Sequence, residues 1–80
     1  MKRYSIKAFG VAREILGGKE TTVDMEGQTV ASLRNELIMK YPGLSGLRSL
    51  LVAVNNVYAD DHQLLSESDE IAIIPPVSGG

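Results

Sequence analysis

TVASLRNELIMKYPG, residues 29–43, holds the one sustained helical period in this chain of 80 residues. Val30, Leu33, Leu37 and Tyr41 recur at intervals of three and four, and Ile38 widens their stripe. That spacing places side chains on a single helix face. Thr29 stands where an N-cap hydroxyl accepts from the first turn. Lys40 suits the negative end of the helix dipole, and Pro42-Gly43 ends the run. The spacing predicts a helix from Thr29 to about Lys40, whose stripe needs one apolar surface to cover it.

The flanking segments supply that surface. Before the helix, Tyr4, Ile6 and Ala8 alternate with Arg3, Ser5 and Lys7, which predicts a half-buried strand over Lys2 to Phe9. Gly10 breaks it, Val11 to Leu16 fits one or two helical turns, and Gly17-Gly18 stops them. Lys19 to Met25 alternates again, with Thr21, Val23 and Met25 on one face. Two such strands suit an antiparallel hairpin with an elaborated connection.

After the helix, Leu44 to Leu50 reads as a loop with a short turn. Leu51 to Val54 and Val57 to Ala59 are short strands around Asn55-Asn56, a pair suited to a tight two-residue turn. Asp60 to Glu70 is polar except for Leu64-Leu65, both expected to tuck under the sheet. Ile71 to Ile74 is the last strand, closed by Pro75-Pro76, which donate no ladder hydrogen bonds. The expected fold is α+β, with a mixed sheet of about five strands packed on one main helix. The domain occupies residues 1–74 and an extended tail residues 75–80.

The bulk numbers exclude several function classes. A chain this short buries about 60% of its unfolded surface, which leaves no room for a large internal cavity. The formal net charge of −2 gives no reason to expect nucleic acid or an anionic membrane as partner. No apolar run approaches a membrane span and no basic-then-apolar leader opens the chain, so the expectation is a cytoplasmic protein. The sequence has no cysteine, and with it no thiolate metal site and no thiol nucleophile. His62 is the single histidine and lacks co-ligands, so it reads as a surface loop residue. The acidic residues from Asp60 to Glu70 do not have the spacing of a calcium loop. No metal or cofactor is expected on this chain, and no nucleophile–base pair marks a self-sufficient enzyme.

The chemistry concentrates in Pro75-Pro76-Val77-Ser78-Gly79-Gly80. Two prolines favour an extended backbone free of internal hydrogen bonds, and six such residues reach on the order of 20 Å. Glycines at the tip remove side-chain bulk, so a terminal carboxylate can enter a narrow pocket. Once adenylated, that carboxylate is open to attack by sulfur, which yields a thiocarboxylate.

The chain resembles the family of molybdopterin synthase small subunits, β-grasp sulfur carriers related to ubiquitin. The resemblance covers nearly the whole chain. It is carried by Phe9-Gly10 with Arg13-Glu14, Thr29-Val30 with Leu33-Arg34, Val54-Asn55, Asp69-Glu70 and the Pro-Pro-Val-Ser-Gly-Gly end. It implies that Gly80, preceded by Gly79, is adenylated by an E1-like adenylyltransferase using ATP. A sulfurtransferase relay then makes the thiocarboxylate. The tail inserts into a large synthase subunit, which holds the catalytic pocket, and delivers sulfur to cyclic pyranopterin monophosphate. In that family two small and two large subunits assemble. Carriers for thiamine or tRNA thiolation, and ubiquitin-like protein modifiers, share the activation chemistry. A passive β-grasp binding module is the reading in which the tail is incidental.

Phe9 and Ile74 break the alternation of their strands, and Tyr58 ends another. They are expected to form an apolar patch for partners, as the family's matching positions do, the plainer alternative being strand ends capped by loops. Pro75, Pro76, Val77 and Ser78 join them as partner-binding residues. Arg13 either contacts a partner, steadies the tail or is a solvated charge. Glu67-Ser68-Asp69 stands where the family commonly has Asp-Gly-Asp, so either Ser68 takes a strained positive φ or the turn differs.

Overall fold

Alternation becomes register in the computed structural model, which describes residues 1–46 and 50–75. Strand β1 (Lys2–Ala8) runs antiparallel to β2 (Glu20–Met25), with Tyr4 opposite Val23 and Lys2 opposite Met25. Between them α1 (Val11–Leu16) closes at Gly17, whose φ of 78° is left-handed and which donates to the Arg13 carbonyl. Helix α2 (Val30–Lys40) crosses to β3 (Leu51–Val54), and β4 (Val57–Tyr58) and β5 (Ile71–Ile74) complete the sheet. The strand order is β2-β1-β5-β3-β4, so the last strand lies at the centre. It pairs parallel to β1 through Ile6 and Ile71, and antiparallel to β3 through Val52 and Ile73. A mixed sheet clasping one main helix is the β-grasp arrangement expected.

The core is the contact between the helix stripe and one sheet face. Val30, Leu33 and Leu37 are fully buried, facing Tyr4, Ile6, Ile71, Ile73 and Val52. Thr29 caps the helix, its Oγ1 accepting from the Ser32 amide at 3.2 Å. Two further amides of the first turn, Val30 and Ala31, donate to the carbonyls of Gln63 and Asp61, which settles donors that a helix start otherwise leaves unmade. Lys40 does more than complement the dipole. Its ammonium donates to the Thr22 carbonyl at 2.7 Å, bridging the helix end to the edge strand β2.

Two expectations need correcting, and the alternatives left open at Ser68 are decided. Only Leu65 tucks under the sheet, at 4% exposed; Leu64 is 69% exposed. The reason is the bridge that pairs Leu64 with Thr29, since adjacent residues in extended chain point to opposite sides. Ser68 escapes strain, because among the described residues only Asn55 and Asn56 are non-glycine with positive φ. The 66–69 turn is held instead by Asp69, whose carboxylate accepts from the Ser66 amide and whose own amide donates to the Ser66 carbonyl. The first and fourth strands each stop one residue short of prediction, at Ala8 and Tyr58, which leaves Phe9 in the loop.

Candidate functional site

The sheet face away from α2 carries the site. Register sets Lys7, Ala72, Ala53 and Tyr58 in one row across four strands, with Leu51 opposite Ile74 in the next. Two alanines in the row keep its middle low, and larger side chains stand around them. Phe9, Tyr58 and Ile74 thus line one open groove of about 330 Å³. Phe9 is 43% exposed and Tyr58 65%. Among the described residues no loop caps Phe9 or Tyr58. The patch is assembled from three segments far apart in sequence, and it is apolar on the β5–β3–β4 half of the face.

The other half is charged and self-paired. Lys7 meets Glu70 at 3.1 Å on the groove's border, and Arg3 meets Asp24 at 2.8 Å. The Arg3 hydrogen bond holds the Asp24 carboxyl below its usual range. Both pairs are solvent-exposed, where an ion pair adds little stability; their effect is to set the charge pattern beside the groove.

Arg13 is brought to the same corner. Its Nε–H donates to the Ala8 carbonyl at 3.0 Å, and its guanidinium carbon stands 5.8 Å from the Phe9 ring centre, within cation–π range. Pro75 is buried directly after β5. Pro76, Val77, Ser78, Gly79 and Gly80 lie outside the described residues.

Lys7, Asn56 and Glu70 also line the groove, and sequence reasoning passed them over. Nothing local marks them; the strand order alone joins β1 to the β5 and β4 region. Asn55 is more than a turn residue: its side chain donates to Asp69 at 3.0 Å and accepts from the Glu70 amide at 2.9 Å. The two family-like segments Val54-Asn55 and Asp69-Glu70 are therefore one hydrogen-bonded unit, and it holds Glu70 at the groove. Among the described residues no group of three or more His, Cys, Asp or Glu is placed to hold a metal ion. None of the described helices is long and apolar enough to cross a membrane.

Comparison with known proteins places these features in context. The sequence model of the ThiS family matches residues 6–80. The molybdopterin synthase sulfur carrier subunit of Arabidopsis thaliana is 42% identical over 74 residues, which span 90% of this chain and 77% of that protein. The protein of the same name from Caenorhabditis briggsae is 40% identical, with both chains covered in full. Among solved structures, small archaeal modifier protein 1 from Methanosarcina acetivorans superposes with a TM-score of 0.81 at 30% identity, covering 100% of this chain and 98% of that one. A chain from the complex of subunits 1 and 2 of molybdopterin-converting factor from Helicobacter pylori 26695 shares the fold, with a TM-score of 0.66 at 24% identity, over 98% of this chain and 99% of that one.

Proposed function

The chain belongs to the ThiS family as a sulfur carrier subunit of the molybdopterin synthase type, and from that premise we propose that Gly80 is its reactive end. A carboxylate oxygen of Gly80 attacks the α-phosphorus of ATP on an E1-like enzyme, and pyrophosphate leaves. Sulfur at the hydrosulfide level, supplied by a sulfurtransferase relay, attacks the carbonyl carbon and displaces AMP. The thiocarboxylate sulfur bonds to a carbon of cyclic pyranopterin monophosphate held in the large synthase subunit and displaces an oxygen leaving group there. Water then attacks the Gly80 carbonyl carbon, the acyl C–S bond breaks, the sulfur stays with the pterin and the carboxylate is restored. Gly79 and Gly80 serve by lacking side chains, so the carbonyl is open to each nucleophile. No cofactor resides on this chain, and the cycle belongs in the cytoplasm, where ATP is available.

The observation that carries this reading is where the tail starts. Pro75 leaves the central strand beside the groove of Phe9, Tyr58 and Ile74, so a partner seated on the groove lies next to the tail root. The large subunit is the partner it fits, in keeping with the two-subunit complex of the Helicobacter pylori factor. Intact mass after incubation with ATP, the activating enzyme and a sulfur donor tests it. The expected gain is one oxygen exchanged for sulfur, absent when Gly80 is deleted. No gain and no adenylate, under conditions that load a known carrier, would leave the passive binding module.

A second reading has its own support, the full-length likeness to small archaeal modifier protein 1 at 30% identity. A modifier uses the same activated Gly80 but passes it to a lysine amine. Isopeptide-linked products that accumulate when the chain is loaded in a lysate, with no sulfur passed to the pterin, would favour it.

A further inference from the structure

Gly10 has φ 57° and ψ −138°, a backbone that L side chains rarely adopt. A Cβ placed there meets the Pro75 ring, 3.2 Å from Cγ and 3.9 Å from Cδ. Glycine is thus required twice over, once by the backbone and once by what lies against it. The contact continues the parallel alignment of β1 and β5, whose last pair is Ala8 with Ile73. Pro75 is buried there, its φ set near −65° by the ring, and Ile74 before it is held extended and paired to Leu51. Arg13 braces the loop on the other side. Its Nε–H and its amide donate to the carbonyls of Ala8 and Gly10, both at 3.0 Å.

The geometry points to Gly10 as a positioning residue that aims the tail by seating Pro75, separately from the groove that docks the partner. The inference rests on the reading of Gly80 as the reactive end. Five residues follow Pro75, a reach of at most about 18 Å, and that reach is counted from the point where Gly10 seats the ring. A methyl group on residue 10 presses on a ring fused to the main chain. Such a ring does not swing aside like a free side chain, and the displacement passes into the backbone. Docking draws on Phe9, Tyr58 and Ile74, whereas delivery depends on where the tail sets out. Misplacement of a reacting group lowers rate in the complex more than affinity.

Four full-length proteins test this: the parent, Gly10→Ala, Pro75→Ala and the double variant. Each is made as its C-terminal thiocarboxylate by thiolysis of an intein fusion and mixed with the large subunit. Calorimetry with the unloaded chains gives Kd, and single-turnover transfer at saturating large subunit gives the rate within the complex. Gly10→Ala is expected to slow that rate about tenfold while Kd stays within about twofold. The double variant is expected to be no slower than the slower single one, because residue 10 then has no ring to meet. The strain of positive φ is present with or without Pro75, so it cancels in this cycle. Rate losses that multiply across the two substitutions overturn the assignment. So does a weaker Kd with an unchanged rate, which would put Gly10 in the docking surface. If Gly10→Ala does not fold, Pro75→Ala must lower the rate at saturating large subunit by a larger factor than it raises Kd, and its failure to do so is a refutation. Absence of transfer from the parent overturns the carrier reading together with the inference, whereas transfer with multiplying losses overturns the inference alone.

Discussion

Asn55 shows how much one side chain settles in this molecule. It holds a left-handed φ of 53°, ties its amide to Asp69 and receives the Glu70 amide. Replacement by alanine is expected to destabilise the fold by about 2 kcal/mol, measured by denaturant unfolding, because both bonds and the tolerance for positive φ are lost. Asn55→Gly restores the backbone freedom alone and should recover part of that loss. Tyr4 makes the opposite case. Its hydroxyl is buried with no protein partner among the described residues, and burial, aided by Glu67 and Asp69, raises its pKa. A raised folded pKa means that its contribution is intact below the ordinary tyrosine value and is lost as pH rises through the folded one. Tyr4→Phe should therefore leave stability at neutral pH within about 1 kcal/mol and flatten the alkaline decline. A much larger loss at neutral pH would show that the hydroxyl is bonded in solution. For Asp24 the sign reverses. Its lowered pKa supports stability at neutral pH that fades as pH falls through the carboxylate range, so Asp24→Asn should flatten the acid limb.

Helix α2 is fixed at both ends, at its start by the Thr29 cap and at its close by Lys40 on the Thr22 carbonyl of strand β2. Thr29→Ala is expected to cost about 1 kcal/mol, a melting shift of about 4–8 °C in a domain of this size. Lys40 covers one acceptor on the open edge of β2, and charged side chains at such edges discourage pairing with other chains. Lys40→Ala should raise the dimer fraction in sedimentation at high protein concentration; an unchanged monomer would show that the edge is guarded elsewhere. These elements were legible because each has its own period: three-to-four spacing over residues 30–41, alternation over 2–8 and 20–25. Their neighbours were not legible. Alternation says which face a residue takes but not which strand lies beside it, so the parallel pairing of β1 with β5 appeared only in the structure. The Leu64-Leu65 pair failed for a related reason. Hydrophobicity was counted, while the extended bridge to Thr29 that separates the two was invisible in the sequence.

In the proposed cycle the molecule divides into a folded body that docks and a terminal segment that reacts. Deleting Gly79-Gly80 should leave the thermal melt unchanged and abolish loading, since the buried residues described all lie at or before Pro75. Phe9→Ala should weaken binding to the large subunit about tenfold by calorimetry, the scale of an aromatic anchor lost from an apolar patch. The three apolar groove residues were legible because each broke a pattern: Phe9 and Ile74 placed apolar side chains where polar ones belonged, and Tyr58 ended a strand. Lys7, Glu70 and the Gly10–Pro75 contact needed the strand order and could not be found along a line. That order has a further bearing on how the protein is made. The middle strand of the sheet is the last to leave the ribosome, and a sheet cannot close around a strand that has not been synthesised. Nascent chains broken off before residue 71 lack the centre of the fold and are expected to be open to proteases, which limited proteolysis of such truncations checks. In the proposed cycle, a body able to occupy the partner's surface is then completed only shortly before Gly80 emerges.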